Sequence, residues 1–304
     1  MFSKFKFGSL WRALLICLFI MALYQTLVSG GVLLPSDGIT INETNAIKAQ
    51  RYVYEKNPGL NLTMVGSSIT ENIKAKDIGD EVSSIALGKG TCQTGLEIVK
   101  RTKSTPPILL VEINETITRK IDRDLLDSLY HPFFYWLRGA LPMLREEYRP
   151  ISILISSVKN MSKSKIKLTR EEQDRREIRN TNPELSKHSI EGKVEEESKP
   201  LSEKDVEIIA TEADYIKAQI TEIKKNGSVR LVLFDVPRES IVDKGIRRKQ
   251  VGELMQKLFP PDTFEWLSSP PAREWRTNDG LHLIRSDAED YALFLREQLL
   301  KKVS

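Results

Sequence analysis

The first strong pattern in this chain is a continuous apolar stretch over residues 13–34, broken only by Tyr24-Gln25 and a few small residues. About 20 such residues cross a bilayer as a helix, so the pattern predicts one N-terminal transmembrane helix. Lys4, Lys6 and Arg12 precede it and no comparable basic cluster follows at once, which places the N-terminus in the cytoplasm and the remainder outside. A cleavable signal peptide is the competing reading, because Leu27-Val28-Ser29-Gly30-Gly31 sets small residues near a cut. The run is long for the apolar part of a signal peptide, which favours an uncleaved anchor.

Beyond the anchor the pattern changes. A helix is predicted over residues 44–56, and then short continuous apolar runs follow at 61–65, 82–88, 107–114 and 229–235, each ending in a polar or glycine-containing loop. Continuous rather than alternating runs suit strands covered on both faces of a parallel sheet, with helices as the crossovers between them. The fold class expected is α/β, a three-layer α/β/α sandwich with a mostly parallel sheet, preceded by the one transmembrane helix. Two helices are argued from their ends. Ser202 with Asp205 caps one that keeps Val206, Ile209, Ala213, Ile216, Ile220 and Ile223 on one face and closes at Asn226-Gly227. Ser286 with Glu289 reads as a capping box for the last, which presents Ala288, Tyr291, Ala292, Leu295 and Leu299 inward. Residues 150–158 admit a helix opened by Pro150 or a strand alternating at Ile151, Ile153 and Ile155, and the helix is preferred.

From 163 to 199 about half the residues are charged and apolar periodicity is lost, the composition of a mobile insertion or of two loose solvated helices. The domain organisation expected is therefore residues 1–34 as cytoplasmic N-terminus and anchor, and 35–304 as one domain with a charged insertion at about 160–200. Among the 304 residues, 46 are basic and 42 acidic, a mixed balance without the basic excess of a nucleic-acid binder. Cys17 and Cys92 are too few and too far apart in context for a disulfide framework or a zinc site, so neither a metal nor an organic cofactor is implied.

Histidine is scarce, with only His131, His188 and His282. His188 falls in the charged segment and His131 in an aromatic cluster before Pro132, which leaves His282 in the tetrad Asp279-Gly280-Leu281-His282. A carboxylate three residues before a histidine can orient its imidazole as a general base. Ligands in open α/β sheets bind beyond the carboxyl ends of strands, and Ser68, Gly90, Asn114 and the tetrad all follow such ends or lie in loops. In this arrangement Ser68 is the nucleophile, His282 its base and Asp279 the residue that holds the imidazole tautomer. The Ser68 and Gly90 backbone N–H groups and the Asn114 amide form an oxyanion hole, each donor worth about 3 kcal/mol. Trp275, close to Pro270-Pro271 and Arg273, reads either as cleft lining or as packing.

These residues resemble the four blocks of the SGNH (GDSL-type) hydrolase superfamily over about residues 62–299. Val65-Gly66-Ser67-Ser68-Ile69 is similar to the Gly-Asp-Ser-Leu block, Leu87-Gly88-Lys89-Gly90-Thr91 to the glycine block, Glu112-Ile113-Asn114 to the Gly-x-Asn-Asp block and Asp279-Gly280-Leu281-His282-Leu283 to the last. Ser67 stands in place of the aspartate and Glu112 in place of a glycine, substitutions similar to those of membrane-anchored envelope branches such as the D-alanine transfer and polysaccharide O-acetylation proteins. No asparagine precedes Gly88, which leaves the oxyanion glycine open between Gly88 and Gly90. The resemblance implies an extracytoplasmic serine esterase or O-acyltransferase on the plasma (inner) membrane, periplasmic in a Gram-negative cell. It would work through an acyl-serine on the acyl, chiefly acetyl, groups of a cell-surface glycan, with a membrane acyl-transfer partner and no nucleic acid. An envelope esterase or lipase is the alternative enzyme, and a non-catalytic scaffold that retains the fold the alternative from another class.

Overall fold

Strands form where the sequence runs apolar without alternation, and in the computed structural model those runs pair edge to edge in one parallel sheet. The structure describes residues 7–55, 59–102, 105–162, 169–180 and 183–300. Lys4, Lys6, Lys56 and Lys163, on which part of the sequence reading falls, lie outside them. In chain order come α1 (Phe7–Ser29), α2 (Ile41–Tyr54), β1 (Leu62–Gly66), α3 (Ser68–Glu71), α4 (Ala75–Ile78), β2 (Val82–Ala86), α5 (Cys92–Arg101) and β3 (Ile108–Glu112). After these follow α6 (Arg123–Tyr130), α7 (Pro132–Ala140), α8 (Pro150–Ser162), α9 (Arg170–Asn180), α10 (Pro183–Ser198) and α11 (Glu203–Lys225). The chain ends with β4 (Arg230–Phe234), α12 (Ser240–Asp243), α13 (Ile246–Leu258), β5 (Glu265–Trp266) and α14 (Arg285–Leu299).

The chain divides into two units, one of Met1–Tyr54 with Asp127–Lys165 and the other of Glu55–Leu126 with Ile166–Ser304. Residues 35–54 and 127–165 thus group with α1. The second unit holds the sheet, in the order β2-β1-β3-β4-β5, all strands parallel. Gly66 is level with Ala86, and Glu112 with Phe234, so the carboxyl ends of the four longer strands face one edge. The direction of winding reverses between β1 and β3, the place where such sheets open a crevice for ligands.

α5 lies so close to the sheet that a Cβ on Gly95 would stand 2.9 Å from the Val65 Cβ and 3.1 Å from the Ile85 carbonyl oxygen. Leu62, Met64, Leu110, Val232 and Phe234 join Tyr291, Ala292 and Leu295 of α14 in the core, with Trp275 packed edge-on to Tyr291. Trp275 is therefore a packing residue. α11 has the expected capping box between Ser202 and Asp205 and buries Ile209, Ala213, Ile216, Ile220 and Ile223, each large side chain contributing about 1.5–3 kcal/mol. Val206 of the same stripe stays exposed. The expected box at Ser286 and Glu289 does not form. Ile284 is the N-cap of α14, so Ser286 already lies in the first turn, where its hydroxyl donates to Asp174, and Glu289 pairs with Arg285.

In the first unit, the Leu10–Ser29 stretch of α1 is 20 residues, long and apolar enough to cross a membrane. Residues 150–162 are helical, as α8. Arg51 of α2 pairs with Glu147 at 2.6 Å, and the Tyr54 hydroxyl donates to the Leu129 carbonyl at 3.1 Å.

Candidate functional site

The loop after β1 decides between two adjacent serines. Ser67 ends the strand in extended backbone and serves as N-cap of α3, its Oγ accepting from the Ile69 N–H at 3.2 Å. It is fully buried, and it donates its N–H and its hydroxyl to the two oxygens of Glu112 at 2.5 and 3.0 Å. Ser68 is the first residue of α3, half-buried, and its hydroxyl has no hydrogen-bond partner among the described residues. Of the pair, only Ser68 has an oxygen that a substrate can reach. Gly66 must be a glycine here, because a Cβ would stand 2.5 Å from the Glu112 carboxylate and 2.7 Å from the Thr70 hydroxyl.

Beneath this turn lies a buried polar network that follows β3 and β4. Asn114 is fully buried and gives its two amide hydrogens to Glu112 at 2.8 Å and Asp235 at 3.0 Å, while its oxygen accepts from the N–H and hydroxyl of Thr116. Burial pushes the Glu112 carboxyl above its ordinary range, with Asp235 adding to the rise and the bonds from Ser67 and Asn114 opposing it. Asp235 in turn pairs with Arg248. Glu115 faces Arg238 at 2.6 Å, and although burial alone would raise its carboxyl, Arg238 and Arg248 bring it down to about 2. Arg238 itself is wholly buried.

The third element is the loop before α14. Gly280 takes a φ of 91°, which closes a tight turn, and the Leu281 and His282 N–H groups both donate to Asp279 Oδ1. The turn swings the His282 ring back so that Nδ1 lies 2.7 Å from Asp279 Oδ2. Burial raises the Asp279 carboxyl, but the bonds from the His282 ring and the two N–H groups outweigh it and hold it down at about 2. An ionised Asp279 keeps the proton of His282 on Nδ1, leaving Nε2 as the basic nitrogen. The Asn72 amide at the end of α3 donates to the Leu283 carbonyl at 3.2 Å, which ties the Ser68 helix to the residue after His282. No hydrogen bond joins Ser68 to His282 in this state. Such bonds are often long without substrate and tighten once it binds.

The remaining sequence candidates are in place but occupied. The Gly90 N–H closes a turn onto the Leu87 carbonyl at 2.9 Å, with Lys89 at a φ of 57° beside it. Both Asn114 N–H groups are bonded, as described. Among the three expected oxyanion donors, only the Ser68 N–H has no acceptor among the described residues. His188 is exposed, and the exposed His131 packs at a tilt on the Phe134 ring. Cys92 is buried at the start of α5, and that burial raises its thiol well out of the reactive range. Among the described residues no group of three or more His, Cys, Asp or Glu is placed to hold a metal ion.

Two features were not foreseen. The first of the charged-segment helices holds the Asp279–His282 loop: Glu177 accepts from the Asn278 amide and the Arg285 N–H at 2.9 Å each, and Asp174 pairs with Arg276 at 3.1 Å. Charge pairing fixes α9 where apolar burial does not. The second is a cavity of about 330 Å³ beyond the ends of β3, β4 and β5, lined by Asn114, Asp235, Arg248, Met255, Trp266 and Pro270 among others. Ser68 and His282 do not line it. No protein-family model matches this chain, and comparison with curated proteins likewise finds no match.

Proposed function

We propose that this protein is a membrane-anchored serine esterase or O-acyltransferase of the SGNH type, acting outside the membrane on acyl, chiefly acetyl, groups of a cell-surface glycan. The observation that carries the reading is the Asp279–His282 pair, closed at 2.7 Å and tied through Asn72 and Leu283 to the helix whose first residue is the accessible Ser68. The parallel sheet in the order 2-1-3-4-5 supports a three-layer reading, because crossovers of the usual right hand from a reversal point between β1 and β3 would set helices on both faces. An apolar α1 at the N-terminus supports a single-pass anchor, with the inner membrane as its place.

In the first half-reaction His282 Nε2 takes the Ser68 hydroxyl proton as Oγ bonds to the ester carbonyl carbon. The C–O bond to the leaving alcohol then breaks, and His282 returns the proton to that alcohol, leaving an acyl-serine. In the second, His282 takes a proton from water or a sugar hydroxyl as that oxygen bonds to the acyl carbon, and it returns the proton to Ser68 Oγ as the acyl–Oγ bond breaks. Asp279 stabilises the imidazolium in both. The Ser68 N–H faces the developing oxyanion. Help from Gly90 and Asn114 requires them to exchange their present acceptors, Leu87 and the Glu112–Asp235 pair, for the substrate oxygen.

The test is turnover of the full chain in detergent. Release of acetate from an acetyl ester, and transfer of acetyl to an added oligosaccharide, are expected in the native chain and absent in Ser68→Ala. Acceptor-independent hydrolysis of long-chain esters would favour the lipase. A second reading, a non-catalytic scaffold with a membrane partner, is favoured by the occupied Gly90 and Asn114 donors, and a folded protein with neither hydrolysis nor transfer would select it.

A further inference from the structure

In water, a helix turns its polar side toward solvent, and α8 does the reverse. Its Ser152, 1% exposed, donates to Glu43, and its Ser156 hydroxyl bonds with that of Ser36 at 2.8 Å, so the polar side faces the protein. Ile151, Leu154 and Val158, spaced three and four apart on the other side, are each about 60% exposed. α7 repeats the theme. Tyr135 stacks on Tyr130 and packs at a tilt on Tyr54 while still 40% exposed, and Phe133 and Trp136 are freer still, at 61% and 68% exposure. Apolar faces of this kind are a liability against water and are expected against another apolar phase.

What that phase is follows from α1, in the same unit. The Tyr24 hydroxyl donates to the Tyr148 carbonyl at 2.6 Å, and the Met143 N–H donates to Gln25 at 3.2 Å. Both ties hold the segment between α7 and α8 against the C-terminal end of α1. Tyr24 is five residues before Ser29, about 7–8 Å along the helix axis, so the segment sits at the depth where the span leaves the hydrocarbon. We infer that α7 and α8 are interfacial helices, with Phe133, Trp136, Ile151, Leu154 and Val158 embedded in the lipid surface around the C-terminal end of α1. Tryptophan and phenylalanine exposed on α7, with Arg138 beside Phe134 and the exposed Arg149 just before α8, fit the headgroup boundary. This inference rests on α1 spanning the membrane and not on the chemistry of Ser68.

Nitroxide-lipid quenching of an environment-sensitive NBD label tests it. Full-length chains with Cys17→Ser and a single added cysteine, Trp136→Cys, Leu154→Cys or Leu15→Cys, are reconstituted into phosphatidylcholine–phosphatidylglycerol vesicles, the buried Cys92 remaining unlabelled. Labels at 136 and 154 are expected to lose emission most with a nitroxide near the headgroup, and the label at 15 with a nitroxide deep in the chain. Quenching at 15 without quenching at 136 and 154 would overturn the inference, handing the face to a second protein or a second copy of this chain. No quenching at 15 would overturn the span, and the inference with it.

Discussion

At the carboxyl end of β3, Glu112 and Asn114 are fully buried and each of their side-chain polar atoms meets a partner, whereas in the loop before α14 Asp279 and His282 stay partly open to solvent. His282 Nε2 and the Ser68 hydroxyl have no partner among the described residues. The difference separates two tasks within one site. Saturated, buried groups have no capacity left for a substrate and act on position, holding the Gly66-Ser67 turn that presents Ser68. Groups with one open valence can receive and return a proton.

The comparison can be broken or sharpened by substitution. Ser68→Ala is expected to lower kcat/KM for an acetyl ester by about 10⁴-fold or more, while the urea midpoint stays put, since the Ser68 hydroxyl holds nothing. Asp279→Asn should cost about 10³–10⁴-fold in kcat through the wrong tautomer of His282. It should also change the acid limb of stability. The Asp279 carboxyl sits at about 2 in the folded chain against an ordinary 3.8, so its contribution is complete above about pH 4 and is lost as pH falls toward 2. Denaturant unfolding at pH 4 and pH 2 should show a smaller drop in the Asn variant than in the native chain.

On the buried side the effects should fall on stability. Arg238→Met takes from Glu115 its closest cation, leaving it only Arg248 at 3.7 Å, and takes from Glu197 the guanidinium it faces, and should cost about 3 kcal/mol in urea unfolding. Asn114→Ala strips donors from Glu112 and Asp235 and should cost about 1–3 kcal/mol. A kcat loss of about 10²-fold or more with KM unchanged, and no loss of stability, would instead mark Asn114 as an oxyanion donor and erase the distinction between the two sides. The smallest effect expected is that of Glu177→Gln, about 1 kcal/mol of local stability, read as faster amide exchange over residues 278–285.

The four longer strands and the α11 capping box were legible because each is written in a local period or a local cap, whereas residues 150–158 carried both a helix opening at Pro150 and a strand-like alternation, and the preferred helix is the one that forms, as α8. β5 was not, since Glu265-Trp266 is too short to carry a period and exists only by pairing with Val232 and Leu233. The Ser286 box failed for a related reason. Its hydroxyl is claimed by Asp174, 112 residues away, and no local pattern announces that contact. The occupation of Asn114 by Asp235, 121 residues on, was hidden in the same way. Asp279 and His282 were readable because their contact spans three residues and is made within one turn.

The most direct test of the central claim is where a covalent probe lands. Full-length protein treated with a fluorophosphonate and mapped by peptide mass spectrometry should carry the adduct on Ser68, with Ser67 unmodified and the label lost in Ser68→Ala. A folded protein that takes no adduct, or one that keeps its label in Ser68→Ala, would contradict it.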